Sequence, residues 1–250
     1  MLVVLTHDVD YSIKGPGVDH ILKRRDRFEE WVIRRVLEEG FNPYFGIPKI
    51  VEVEEELGVR STFFFRAYYD DNETVEGYAH VIRDLVRGGW SIGLHFNDPN
   101  NIAEEKALIE KLGVKIEGTR GHYLRVPDFA LLKRLDIKFD SSIAFSKGGC
   151  DKRNSGFMRI EGVVEFPVTF MDAYMFTYDR LSEEEVVPFV IRCIRRLAEM
   201  GVKLVTLLWH DNSIYMKGGR VYPQLLRELS REHELIDMAS AYARINEESL

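Results

Sequence analysis

The run Thr6-His7-Asp8-Val9-Asp10 sets one imidazole and two carboxylates directly after an apolar, β-rich segment at residues 2–5. Strand side chains alternate between faces, so Asp8 and Asp10 share one side and His7 turns to the other. Carboxylates at the carboxyl end of a first parallel strand stand where α/β proteins build their sites. The chemistry on offer is a base beside a ligand for a divalent metal. The competing use is structural, with both acids holding backbone amides of the loop that follows.

Further polar residues recur at the same kind of position. His95 follows an apolar run at 90–94, Arg120 and His122 lie within 118–123, and Asp140 within 139–142. Asp172 follows 166–171 and His210 follows 204–209. Four of the seven histidines (His7, His95, His122 and His210) thus end proposed strands, whereas His20, His80 and His233 do not. In a β/α barrel those ends share one rim. Asp10, His95 and a third group can hold a divalent ion with one position left open for water. Asp8 can then take a proton from that water, His210 can protonate a leaving amine, and Arg120 can orient Asp8. Each residue also has a structural use. His95 lies between Leu94 and Phe96 and fits a core. Arg120 and Asp140 can form an ion pair that closes the rim and orients a base. His210 can bond Asp211, and Asp172 reads as shaping its loop. Phe96, Tyr123, Tyr174 and Trp209 offer faces for a sugar ring or for packing.

These positions depend on the elements around them. Strand-like runs at 2–6, 61–65, 90–96, 114–118, 138–143, 163–170 and 202–209 alternate with helical patterns. The helices are expected over 19–39, 47–57, 73–87 (capped by Asn72), 102–112, 128–135, 222–231 and 239–248, with a long one from a Ser182/Glu185 capping box to residue 200. The segment 146–162 reads as a loop on the active side. About seven strand–helix units in series indicate an α/β fold with a parallel sheet. A complete or distorted barrel suits 250 residues in one domain, 1–250, better than a small open sheet. No G-x-G-x-x-G follows the first strand, and no Walker motif or paired C-x-x-C is present.

Acidic residues number 41 against 34 basic ones, a net charge of −7, and no long basic stretch occurs, so nucleic acid is a poor partner. The clusters at 23–25 and 195–196 fall within helical patterns and read as solvated faces. Cys150 and Cys193 make no disulfide framework. No apolar run reaches membrane-span length, and the chain opens directly in a strand pattern without a targeting segment. The expectation is a cytoplasmic protein acting on a small molecule or a glycan; the sequence carries no oligomerisation signature.

Taken in order, Thr6-His7-Asp8-Val9-Asp10, Ile92-Gly93-Leu94-His95, Gly118-Thr119-Arg120-Gly121-His122-Tyr123, Phe139-Asp140-Ser141-Ser142 and Leu207-Leu208-Trp209-His210 resemble the polysaccharide deacetylase superfamily. These are the carbohydrate esterases with a NodB-like domain; the likeness is narrowest to a branch with His-Asp-Val-Asp near its start. The resemblance spans nearly the whole chain. It implies a distorted (β/α)₇ barrel and metal-dependent hydrolysis of N-acetyl groups or similar carbon–nitrogen bonds. By position it implies Asp8 as base, Asp10 as metal ligand, and His95 as the first histidine of a metal-binding His-x-x-x-His motif. Arg120 corresponds to the arginine that tunes the base, and His210 to the general acid. One departure stands out: Pro99 occupies the position of the motif's second histidine. His122 is the favoured replacement, an oxygen from Asn97 or Asp98 is a second route, and weak or absent metal binding is a third. Zinc is the expected ion, with nickel and cobalt suited to the same donors. The leading function is removal of an acetyl group from an N-acetylated sugar or related small amide. The alternative is a non-catalytic carbohydrate- or ligand-binding barrel that has lost its metal site.

Overall fold

The alternation of β1 (Leu2–Val9) divides the molecule into an outer and an inner core. Val3, Leu5 and Val9 face outward into a large apolar cluster with Ile50, Leu85, Val190 and Leu225 from the surrounding helices. Val4 faces inward and packs with Phe64, Phe139, Val164, Phe166 and Leu204. Met238, Ala241 and Ile245 of the closing helix Met238–Glu248 plug this inner cluster from below. Above it the same face of β1 turns polar, through Thr6 to Asp8 and on to Asp10. The computed structural model from which this architecture is read describes residues 1–248.

The other strands are β2 (Thr62–Phe65), β3 (Ser91–Phe96), β4 (Gly118–Gly121), β5 (Phe139–Asp140), β6 (Met158–Ile160), β7 (Val163–Glu165), β8 (Phe170–Met171), β9 (Leu204–Leu208) and β10 (Glu234–Ile236). Their order is β6-β7-β5-β4-β3-β2-β1-β9-β8, parallel throughout except between β6 and β7. β1 has β9 along one edge. On the other, β10 pairs with Leu2–Val4 and β2 with Thr6–Val9. The sheet curls into a distorted barrel, as the alternating strand and helix patterns imply.

Two glycines make room for the aromatic plug. A Cβ on Gly93 would fall 2.4 Å from the Phe64 ring, and one on Gly118 would fall 1.9 Å from the Phe139 ring. Both rings are therefore buried against bare backbone, each contributing roughly 1.5–3 kcal/mol of burial.

Several elements differ from the sequence pattern. β6 forms inside the segment 146–162 expected as a loop, pairing antiparallel with β7, and the strand expected over 163–170 divides into β7 and β8. The helix expected over 19–39 breaks into Val18–Leu22, a 3₁₀ turn Arg25–Arg27 and Glu30–Glu39. The break occurs because Phe28 adopts an extended conformation, bridges to Met216 and buries its ring with Val32 and Tyr44. The helix expected from residue 73 begins only at Ala79, after the 3₁₀ turn Val75–Tyr78; Asn72 sits at φ 65° in a turn rather than at a cap. The fourth strand lies at Gly118–Gly121 rather than over 114–118, which brings Arg120 inside the sheet.

Candidate active site

The inner face of the barrel carries Arg120, whose side chain is fully buried. Its guanidinium stacks 4.6 Å from the centre of the Phe64 ring. Nη1 donates to Asp8 Oδ1 at 2.9 Å and to Thr6 Oγ1 at 3.0 Å; Nε and Nη2 donate to the carbonyl and hydroxyl of Ser141 at 2.9 and 2.8 Å. Every direction of the guanidinium fork is thereby fixed, and one oxygen of Asp8 with it. Burial alone would raise the Asp8 pKa, but Arg120, with His95 and His210, outweighs it and holds the carboxyl below its ordinary value.

Asp8 Oδ2 lies 3.7 Å from His95 Nε2. His95 Nδ1 meets the Arg120 carbonyl at 3.0 Å, so Nδ1 carries the proton and Nε2 presents a lone pair. Nε2 lies 3.2 Å from Asp10 Oδ1 and 3.1 Å from His122 Nδ1, which is itself 3.3 Å from Asp10 Oδ1. Three donor atoms thus form a nearly equilateral triangle. A tetrahedral zinc site with bonds of about 2.0–2.2 Å has edges of roughly 3.3–3.6 Å. Asp10 Oδ1 is also buried and meets no aligned hydrogen-bond donor. Burial would raise Asp10, yet the flanking His122 and His95 imidazoles keep it well below the usual carboxylate range. An orphaned buried oxygen and two converging imidazole nitrogens fit a divalent cation.

His122 reaches this position through an unusual turn. Directly after it, Tyr123 and Leu124 take φ of 57° and 52°, the left-handed region that side chains disfavour. Asn97 and Asp98, the alternative oxygen donors, are engaged elsewhere. Asn97 Oδ1 accepts from Arg66 Nε at 2.7 Å, and Asp98 Oδ1 accepts from the Asn100 backbone at 2.9 Å. Among the described residues, Asp10, His95 and His122 are the group whose ligand atoms gather at one point.

His210 stands across the site, its Nε2 3.8 Å from Asp10 Oδ2. Its Nδ1 bonds Asp172 Oδ1 at 2.6 Å rather than Asp211, while Asp172 Oδ2 accepts from the His210 backbone and from Ser213. Burial opposes the imidazolium, but Asp172, followed by Asp10 and Asp8, raises the pKa to about 10. Asp172 is therefore the orienting carboxylate of His210, not merely a loop residue; its position directly after β8 was the signal. Sequence reasoning also missed Arg66. Buried just after β2, it donates to the Asp10 carbonyl at 3.1 Å and to Asp70 at 2.6 Å, and so ties down the Asp10 loop.

Asp140 does not join the site, and the expected Arg120–Asp140 ion pair is not formed. The register pairs Asp140 with Thr119, one residue from Arg120, and period-two alternation places it on the opposite face. It accepts from Thr119 Oγ1 at 2.6 Å and from Ser142, and its strand neighbour is the buried Glu165. Burial and the Asp140 charge push Glu165 well above its ordinary value, so Glu165 holds the proton of this pair. The unfolded chain releases that proton from about pH 4.5 upward while the folded chain retains it, so folding loses stability as pH rises. Glu165→Gln keeps an acceptor for the Ile143 N–H. It is expected to flatten the pH dependence and to gain about 1–3 kcal/mol at pH 8, the scale of an unsatisfied buried polar group. Urea unfolding at pH 5 and pH 8 checks this; parallel pH profiles for variant and wild type would refute it.

His7 faces outward, bonded to Glu54 at 3.0 Å and to the Trp209 carbonyl at 2.7 Å. Phe96 and Trp209 are wholly buried and present no face to a ligand. Tyr123, 79% exposed, does stand at the opening. A cavity of about 620 Å³ lies over the site, lined by Asp10, His122, His210 and Asp172 on its inner side and by Tyr11 and Tyr123 toward solvent.

No family model and no curated protein matches the chain. Solved structures do. A Mycobacterium smegmatis protein assigned as a polysaccharide deacetylase superposes with a TM-score of 0.67 at 17% identity, over 100% of this chain and 91% of the other. The chain has the NodB-like polysaccharide deacetylase fold. Puue allantoinase shares this NodB-like fold with a TM-score of 0.66 at 11% identity, over 99% and 90% of the two chains. So does a mutant of BA3943, a CE4 family pseudoenzyme, with a TM-score of 0.53 at 12% identity over 96% and 67%. One NodB-like scaffold thus carries different chemistries and none, and the side chains must decide.

Proposed function

We propose that the chain is a metal-dependent amide hydrolase that removes an acetyl group from an N-acetylated sugar or a related small amide. The observation that carries this reading is the triangle of Asp10 Oδ1, His95 Nε2 and His122 Nδ1, with sides of 3.1–3.3 Å, between two separately oriented proton carriers. A divalent ion held by these three residues, zinc or its nickel and cobalt relatives, supplies Lewis-acid polarisation and lowers the pKa of water. Asp8, with one oxygen locked by Arg120, keeps the other free to accept the proton of the attacking water. His210, held through Nδ1 by Asp172, presents Nε2 from the opposite side to protonate the departing nitrogen. Tyr123 offers a ring face where the cavity opens, suited to the apolar side of a pyranose. The binding-barrel alternative draws on Pro99 alone, and His122 supplies the donor which that position lacks.

The test pairs metal analysis with product detection. Protein dialysed against zinc is expected to retain about one equivalent, since three protein ligands and one open position make a single catalytic site. It is then expected to release acetate from N-acetylated amino sugars, with loss on chelation and recovery on adding zinc. Retained activity in the thoroughly chelated protein, or no bound metal, would refute the reading.

A further inference from the structure

The solvent-side wall of the cavity is built from two segments laced together. The Lys217 backbone N–H donates to the Arg27 carbonyl at 2.8 Å, Lys217 Nζ donates to the Asp26 carbonyl at 2.9 Å, and Phe28 bridges to Met216. Buried Phe28 and Tyr44 anchor the wall from behind. Three cations on it line the cavity: Arg24, Arg27 and Lys217. The cluster at 23–25 is thus not simply a solvated helical face.

None of these three has a carboxylate partner among the described residues. Arg24 Nη1 makes one long bond, 3.4 Å, to the His20 carbonyl. Two neighbouring arginines that do not line the cavity are ion-paired. Arg25 pairs with Glu30, and Arg220 pairs with both Glu29 and Glu183. The other charged groups lining the cavity lie away from this wall: Arg66 pairs with Asp70, His210 with Asp172, and Asp10 stands with His122 in the proposed metal triangle. Only Asp26 offsets the three cations, which leaves this wall with two uncompensated positive charges in a chain whose net charge is −7. Tyr11 connects wall to site: it follows Asp10 directly, lines the cavity, and its ring meets that of Tyr44 at 4.6 Å between centroids.

We infer that Arg24, Arg27 and Lys217 form an anion subsite, and that the amide substrate carries a phosphoryl group directed at this wall. Two uncompensated charges match a phosphate monoester dianion, and guanidinium forks bind phosphate oxygens bidentately. The inference rests on the proposed hydrolase for the reacting amide but not for the anion.

Binding therefore tests it without turnover. Glucose 1-phosphate and glucose 6-phosphate are titrated calorimetrically into the full chain, with and without zinc, beside glucose and glucuronate. At least one phosphate ester is expected to bind about tenfold or more tightly than glucose, with a gain that shrinks as salt rises. Arg24→Gln and Arg27→Gln are each expected to remove most of that gain. Lys217→Gln gives a third, independent reading, and Lys23→Gln, an adjacent cation outside the lining, is expected to change nothing. Thermal unfolding of each variant monitors the fold. Equal affinity for glucose and both esters, a gain that survives both arginine variants, or an equal gain for glucuronate would overturn the assignment. Phosphate-selective binding without acetate release from any phosphorylated N-acetyl sugar would sink the hydrolase reading and leave the subsite standing.

Discussion

Asp8→Asn is expected to lower kcat/KM for amide hydrolysis by about 10²–10⁴-fold, the range for loss of a positioned proton carrier. The substitution is nearly isosteric. Asn Oδ1 can still accept from Arg120 Nη1, and the guanidinium keeps its other bonds, Nη1 to Thr6 Oγ1 and Nε and Nη2 to Ser141. What disappears is the basic lone pair on the oxygen 3.7 Å from His95 Nε2, because the amide nitrogen that replaces it can only donate. The loss should therefore fall on kcat, with zinc affinity changed by less than about tenfold, as for an outer-shell partner at most. A buried guanidinium left facing a neutral amide costs stability, so circular dichroism and thermal unfolding accompany the kinetics. A folded, zinc-loaded variant that keeps more than half of wild-type kcat would remove Asp8 from the base role.

What could be read from the sequence followed the period of a strand. Asp8 on one face of β1 with Asp10 just beyond it on the same side, and His7 on the other face, follow from alternation alone, and that geometry is observed. The parallel order of strands followed from the alternating strand and helix patterns, but the antiparallel β6–β7 hairpin was not read from the sequence. Register between strands was not legible, because it is set by packing of the whole sheet. Asp140 shows the consequence. In sequence it ends a strand like the others, but its pairing with Thr119 turns it away from Arg120 and toward Glu165. Asp172 shows the converse, since its partner His210 lies 38 residues away and only the β8–β9 pairing brings them together. The wall that carries Arg24 was hidden for a related reason. Its helical pattern is interrupted by Phe28, whose burial against Tyr44 outweighs local helix propensity.

His122→Ala is expected to weaken zinc binding by more than about 100-fold, since even partners outside the ligand shell cost 10–100-fold when removed. The argument begins at Pro99, which has no side-chain donor. The loop that holds it cannot swing inward freely, because Glu105 accepts the backbone N–H groups of Asn97 and Asp98, and Arg66 grips the Asn97 side chain. The third ligand must then come from another strand. β4 lies next to β3 with His95 and Arg120 in register, so the residue two places beyond Arg120 emerges beside the His95 ring. The left-handed turn at Tyr123 and Leu124 leads the chain away immediately after His122, whose Nδ1 stands 3.3 Å from Asp10 Oδ1. A conformation that disfavoured, at two consecutive residues, is the kind retained where it positions a functional group. Asp98→Ala, by contrast, is expected to leave zinc affinity within about twofold, because a substitution away from the ligand set leaves the metal shell intact. Competition with a chelating dye measures both variants without reference to turnover. Cobalt substitution adds a second readout: the visible d–d bands of a four-coordinate site should be lost in His122→Ala and kept in Asp98→Ala. Wild-type zinc affinity in His122→Ala, or its loss in Asp98→Ala, would return the third ligand to the loop after His95 and dissolve the triangle on which the proposed chemistry depends.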